Sequence, residues 1–281
     1  MNEEWTTVIK PKTGWFDINF KEILQYRDLI FMFVKRNFIS SYKQTVLGPL
    51  WFIISPLLTS SMLTVVFGKI AGMSTDGVPQ FLYYMAGNTA WTYFSSCLTS
   101  TSSTFTGNAG LFGKVYFPRL ITPISTVIYA IFSFLIQLCL MLALMAYFVF
   151  VQHEGIHPNI CILLVPLLVL QMAMMGMGFG IIISSLTTKY RDLMVLVGFG
   201  VQLWMYGTPI AYPLSAVPFG LEKVIRCNPM TPVVNNFKYA FLGCGQLEVH
   251  SWIVSWIVTL VVLAAGVVLF SRVEKTFMDT V

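Results

Sequence analysis

Charge is what this chain has least of. Acidic and basic residues make up 10% of its 281 positions, where a soluble domain carries about 25%. With 56% hydrophobic residues and a mean hydropathy of +0.74, that shortage excludes water as the main solvent. Six apolar runs hold no Asp, Glu, Lys or Arg at all: Leu50 to Phe67, Phe81 to Ser103, Leu120 to Val151, Ile160 to Leu186, Leu193 to Tyr212 and Trp252 to Phe270. Ion-coupled transporters and proton pumps place such groups inside the bundle, so the sequence argues against ion coupling. A nucleotide loop is missing too. Gly68-Lys69 and Gly113-Lys114 are followed by Ile70 and Val115 and lack the upstream glycine of a phosphate cradle. ATP-driven work would need another chain. The first 46 residues contain no signal-peptide run ending in a small-residue cleavage site, which places the N-terminus in the cytoplasm. Cysteine is sparse, and only Cys227 and Cys244, in one polar stretch, are candidates for a disulfide.

What is present is length of apolar run. A helical crossing needs about 20 apolar residues, and these runs are continuous rather than the ten-residue alternations of a membrane barrel. The reading is an all-α membrane protein with six transmembrane helices, residues 47–281, preceded by a cytoplasmic N-terminal segment, residues 1–46. Lys10, Lys12, Lys21, Arg27, Lys35, Arg36 and Lys43 lie before the first run, and Lys114, Arg119, Lys189, Arg191, Arg272 and Lys275 fall on the same side. Only Lys69, Lys223, Arg226 and Lys238 fall on the other, so the positive-inside rule puts both termini in the cytoplasm. The outer stretch from Pro213 to Ser251 carries apolar pieces such as Pro232 to Leu242, expected as short re-entrant or interfacial helices. No internal repeat suggests an inverted-repeat secondary transporter.

Several local patterns carry two readings each. His153-Glu154-Gly155-Ile156-His157 fits a zinc-protease pattern that needs a helix, but Gly155 and Pro158 disfavour one and point to a polar turn. Phe31, Val34, Phe38, Tyr42 and Val46 share one side of a helical projection, with Arg36, Ser40, Lys43 and Gln44 opposite. That is an interfacial helix, either an anchor or a gate. Trp51, Trp91, Tyr93, Trp204, Tyr206 and Tyr212 lie near run ends; such rings form interfacial belts, or else offer faces on which sugar rings stack. The glycines of Gly176 to Gly180 and Gly198 to Gly200 lie inside apolar helices and permit close packing. Between the second and third runs, Gly107 and Gly110 are placed to end one helix and Pro118 to start the next, leaving Leu111, Phe112 and Tyr116 as an apolar knob.

Five segments in order carry a resemblance: Tyr42 to Trp51 with Pro56 beyond it, Lys114 to Arg119, Lys189 to Asp192, Thr208 to Pro213, and Asn228 to Pro232. The chain resembles the permease subunits of ABC transporters that export bacterial cell-surface polysaccharides. The resemblance implies a homodimer in the bacterial inner membrane, flanked by two copies of a separate ABC ATPase that binds ATP and Mg. This chain itself would hold no cofactor or metal and would meet no nucleic acid. The implied substrate is an undecaprenyl-pyrophosphate-linked polysaccharide, with membrane lipids as further partners. On that likeness Asn108, Leu111, Phe112, Lys114, Tyr116 and Arg119 form the ATPase-coupling element. Lys35, Arg36, Phe38, Tyr42 and Lys43 belong to a gate helix facing lipid head groups, and Trp51, Trp91, Tyr93, Trp204 and Tyr206 are assigned to the substrate path. The ending Arg272 to Phe277 and the first run look nearest to the O-antigen branch. Export of teichoic acid or capsule, a membrane zinc metalloprotease and an ion channel are the alternatives.

Overall fold

The computed structural model describes residues 20–43, 48–156, 158–190 and 192–280, and no strand occurs among them. Helices α1 (Phe20–Gln25) and α2 (Arg27–Tyr42) precede α3 (Trp51–Leu63), which continues through a wider-wound π turn to Ile70. After a loop come α4 (Gln80–Ser102) and α5 (Thr104–Phe112), bent apart at Ser103, then the long α6 (Ile121–Phe150). A 3₁₀ turn, Ile160–Leu164, leads into α7 (Val165–Thr187), followed by α8 (Leu193–Tyr206), α9 (Phe219–Cys227), α10 (Met230–Leu242) and α11 (Val249–Thr280).

The chain is an all-α membrane protein. Four segments are long and apolar enough to cross a bilayer: Trp51–Ile70, Ile121–Phe150, Ile160–Thr187 and Val249–Val273. The two other expected crossings differ in kind. Helix α4 has 23 residues, about 35 Å at 1.5 Å per residue, but it is rich in Ser and Thr and sits in the middle of the bundle rather than against lipid. Several of its Ser and Thr hydroxyls are satisfied within the helix, as where Thr89 Oγ1 donates to Met85 O at 2.8 Å and Thr99 Oγ1 to Ser95 O at 2.7 Å. Helix α8 stops at Tyr206, short of the expected Tyr212. Pro209 has no N–H to continue it and pushes Thr208 out of helical geometry.

Helix α4 packs on α7, α6, α3 and α10, and α7 packs on α11. Glycine makes these approaches possible. A Cβ at Gly176 would stand 2.7 Å from Cys97 Cβ, and one at Gly180 would stand 2.7 Å from the Leu98 carbonyl, so both let α7 lie against α4. Gly178 and Gly266 do the same for α7 and α11, since a Cβ at Gly266 would lie 2.8 Å from Gly178 O. Without a hydrophobic drive between helices in lipid, such close backbone contact is what holds them. Gly198 and Gly200 behave differently: nothing lies within 4 Å of their added Cβ, so close packing is absent there within the subunit.

A buried polar tie joins α7 to α11. Gln171 Oε1 accepts from Trp252 Nε1 at 2.6 Å, its Nε2 donates to Ser255 Oγ at 2.8 Å, and that hydroxyl donates to Pro229 O at 2.6 Å. Interhelical bonds of this kind contribute about 0.6 kcal/mol each on average. At the C-terminal end of α4 a second apolar cluster, Phe33, Phe105, Phe112, Phe117, Ile181 and Phe270, binds α2 and α5 to the bundle. The other end of α4 carries α9 and α10.

Candidate functional site

The residues singled out by sequence fall at the two ends of α4. At its C-terminal end, α2 lies along α6. The face it buries carries Ile30, Phe33 and Val34, while Phe31 is 69% exposed and Phe38 and Ile39 are exposed as well. The predicted stripe beginning at Phe31 is therefore only partly the packed face, because Phe33, at the centre of the cluster, sets the rotation of the helix. Phe31 and Ile39 thus stand exposed, and Phe38 meets Phe132 edge-on at 6.1 Å, beside the exposed Lys35, Arg36 and Lys43. The Tyr42 side chain, Gln44 to Leu47, Arg191 and His157 lie outside the described residues.

The gate and coupling assignments, separate in the sequence, meet in space. Arg36 Nη2 donates to Asn108 Oδ1 at 3.5 Å, and its guanidinium lies 4.5 Å from the Phe33 ring centroid. Asn108 Nδ2 in turn donates to Thr104 O at 3.0 Å. The knob takes a different shape from the expected one. Gly107 and Gly110 do not end a helix, since α5 runs through both to Phe112. Phe112 is only 4% exposed, packed edge-on to Phe105 at 6.1 Å and on Phe117 at 5.7 Å, with the Arg119 guanidinium 5.3 Å from its ring. Leu111 is half-buried. Of the expected knob Tyr116 is on the surface, joined by Val115 and next to exposed Lys114.

The aromatic residues divide. Trp91 (4% exposed) and Tyr93 are enclosed in the subunit, Trp91 against Phe94 at 5.3 Å and Tyr93 against Phe134 at 5.0 Å. Trp204 joins Trp91, Phe94 and Phe179 at 6.2, 5.1 and 5.1 Å, which holds α8 to α4 and α7 through rings in edge contact. Trp51 and Tyr206 are open on the surface, with Phe199 and Leu203 of α8.

At the N-terminal end of α4 two sequence motifs prove to be one structure. Asn228 Oδ1 accepts from Trp204 Nε1 and from Met230 N–H, each at 2.9 Å. Its Nδ2 donates to Gly207 O at 3.0 Å and to Thr208 Oγ1 at 2.9 Å. The other end of that loop is held by Lys238, whose Nζ donates to Pro209 O at 2.7 Å and Ile210 O at 2.9 Å and sits 3.7 Å from the Tyr83 ring centroid. Lys238 is 2% exposed. Burial pushes its ammonium down to about 7, with Cys244 and Asp76 acting in the opposite direction. Sequence reading counted this residue only as an outer-side charge, although a lysine between Phe237 and Tyr239 in the largely apolar stretch from Pro232 to Leu242 was the available signal.

Two candidate chemistries lose their geometry. His153 has a left-handed φ of 55° in a non-helical turn, so it cannot share a helical face with a ligand four residues on. Among the described residues no cluster of metal-ligating side chains occurs. Cys227 and Cys244 are both free thiols, the first exposed and the second buried.

Comparison with known proteins follows the same outline. A family model described as ABC-2 type transporter matches residues 28–242. The O-antigen export system permease protein RfbA of Klebsiella pneumoniae is 26% identical over 254 residues, covering 90% of this chain and 94% of that protein. The protein of the same name from Myxococcus xanthus is 26% identical over 264 residues, covering 93% and 98%.

Proposed function

The chain belongs to the ABC-2 type transporter family, and from that premise we propose that it is the permease subunit of an ATP-driven exporter carrying lipid-linked O-antigen polysaccharide across the bacterial inner membrane. Permeases of this family are transport subunits, not enzymes. The observation that carries the O-antigen reading is similarity along nearly the full length to permeases of that name.

In this reading six helices cross the membrane, α4 and α8 as well as the four apolar spans, and both termini face the cytoplasm as the lysine and arginine distribution requires. The C-terminal end of α4 is then cytoplasmic. There Lys114, Val115 and Tyr116 project from the turn after α5, and they are the contact for a separate ABC ATPase that binds ATP and Mg. An exposed apolar pair in a membrane protein's aqueous turn suggests a protein partner. The Arg36 to Asn108 bond links this turn to α2. The bases of α2 attract anionic head groups at about 1 kcal/mol each near a charged leaflet, and the pyrophosphate of an undecaprenyl-linked glycan is such a group.

Two subunits form the pore between their open faces. Trp51, at the start of α3, and Tyr206, at the end of α8, supply exposed rings for the glycan, whereas Trp91, Tyr93 and Trp204 support the wall from behind. Aromatic faces suit a long polymer because they give contact area without demanding one hydrogen-bond pattern.

Deletion of the gene, with complementation by the intact chain, tests the function. The expected result is loss of surface O-antigen, seen on lipopolysaccharide gels and by antibody on whole cells, with undecaprenyl-linked polymer accumulating inside. Unchanged O-antigen with loss of capsule or teichoic acid would overturn the substrate, and unchanged surface glycan of every kind would overturn the function.

A further inference from the structure

A cavity of about 350 Å³ opens among Asp76, Tyr83, Ser215, Arg226, Lys238 and Glu248, beside the loop that Asn228 and Lys238 hold. Three separate pieces of chain build it: the turn before α4, the segment after α8, and the α9 to α11 region. Gly245 in its lining adopts a φ of 80°, and Gly77 and Gly243, next in sequence to the lining residues Asp76 and Cys244, adopt 81° and 72°, which side chains rarely allow. Small-ligand pockets start at about 300 Å³, so the volume admits one or two sugar-sized rings.

The polar lining is preordered. Glu248 Oε1 accepts from Asn235 Nδ2 at 3.2 Å and pairs with Arg226 Nη1 at 3.5 Å, and the Glu248 N–H is held by Asn236 Oδ1 at 3.0 Å. Arg226 is itself fixed by Glu222 at 2.8 Å. Glu248 Oε2, by contrast, is buried and has no hydrogen-bond partner among the described residues. With no accessible surface, that oxygen belongs to the wall, and the groups a ligand meets are the exposed Asp76, Ser215 and Arg226.

The charges select the ligand. Two carboxylates, Asp76 and Glu248, share the lining with Arg226 and with Lys238, whose charge burial weakens, so the lining has no excess positive charge to draw in an anion. Exposed Asp76 offers a charged acceptor, and Arg226, held by Glu222 and Glu248, keeps further N–H donors, so a hydroxyl group, which both donates and accepts, bonds well to each. One face of Tyr83 is already taken by Lys238, so recognition rests on hydrogen bonds rather than stacking. We infer that this cavity is a saccharide-binding pocket for neutral hexose units of the exported polymer, one in each subunit and separate from the path between subunits. The identity of the polymer rests on the exporter reading, whereas the capacity to bind a hexose does not.

The test uses the full chain in lipid nanodiscs free of maltoside and glucoside detergents, whose head groups would compete. Free glucose, galactose, mannose and N-acetylglucosamine, and their disaccharides, serve as probes in saturation-transfer NMR. At least one should bind at millimolar concentration. Ser215→Trp fills the pocket from an exposed position and removes none of the bonds above, and Asp76→Asn removes the exposed charged acceptor with a residue that tolerates its left-handed φ of 53°. Each should weaken binding at least tenfold while the thermal midpoint holds. No transfer to the wild-type chain, or equal transfer to the Ser215→Trp chain, overturns the pocket. Loss of hexose binding when a diglucosyl lipid is added to the nanodiscs would assign the site to lipid head groups and overturn its assignment to the polymer. Export measured in parallel separates the two ideas: a chain that exports yet binds no hexose overturns the pocket alone, and one that binds hexose yet exports nothing overturns the exporter reading alone.

Discussion

Asn228 makes four hydrogen bonds with one side chain, and they join three elements: the Trp204 indole on α8, the Gly207 and Thr208 loop, and the start of α10. Replacing it by alanine leaves two donors and two acceptors without their partner. A net hydrogen bond contributes about 0.5 to 1.5 kcal/mol. The bond to Gly207 is exposed, so water replaces it at little cost, while the indole, Met230 N–H and Thr208 hydroxyl are partly buried. Three effective bonds give about 2 to 4 kcal/mol. For a domain of 150 to 250 residues each kcal/mol shifts Tm by about 2 to 4 °C, so Asn228→Ala should lower the apparent midpoint by roughly 4 to 16 °C. Unfolding followed by tryptophan fluorescence in nanodiscs measures this, and Trp204 should change emission before the midpoint because its indole is freed. Cys227→Ser, one residue away on an exposed thiol, is the control and should shift nothing. If Asn228→Ala melts within a degree of wild type and its emission is unchanged, the loop is held by something else and the account of the Asn228-Pro229 and Thr208-Pro209 motifs as one lock is wrong.

Val115→Asp with Tyr116→Asp should release the ATPase on purification and abolish export while the permease still inserts; co-purification at wild-type yield would place the contact elsewhere. Phe112→Asp should act differently, cutting the amount of folded permease in the membrane by at least tenfold, because it puts a carboxylate into the cluster around Phe105 and Phe270. Lys35→Glu with Lys43→Glu should lower export more than abundance, by at least fivefold in rate at equal protein on immunoblots; a parallel fall of both would reduce α2 to an anchor. Trp51→Ala or Tyr206→Ala should slow export with Tm unchanged, whereas Trp91→Ala should lower Tm. Stacking on a ring is worth about 1 to 3 kcal/mol in nucleic-acid cases, which sets the scale for the first pair.

The helices were legible because their signal is one-dimensional. An uncharged run of 20 or more residues has few alternatives in a membrane, and Trp51–Ile70, Ile121–Phe150, Ile160–Thr187 and Val249–Val273 emerge within a few residues of the expected bounds. Rotation about the helix axis was not legible in the same way. In a soluble protein the apolar stripe is the packed stripe, but in lipid an apolar face is equally comfortable outside, so Phe31 and Phe33 could not be told apart by composition, and only the structure shows Phe33 within and Phe31 without. The same degeneracy misplaced Phe112, which faces its own subunit while Val115 and Tyr116 take the surface.

Polar residues break the degeneracy, because hydrocarbon cannot satisfy them. Gln171, Asn228 and Lys238 each sit in or beside an apolar run, and each is found holding two or more elements together. They point to the outer lock better than the rings do, since a lone Lys238 between Phe237 and Tyr239 has to reach carbonyls or water, and it reaches those of Pro209 and Ile210. Glycine carries the matching steric signal. Gly176 and Gly180, four apart, mark the α7 face that meets α4, and Gly178, half a turn away, marks the one that meets α11. For a chain so poor in charge, the few polar side chains and the glycine spacing therefore fix which helices are neighbours, while the abundant apolar residues fix only that helices exist.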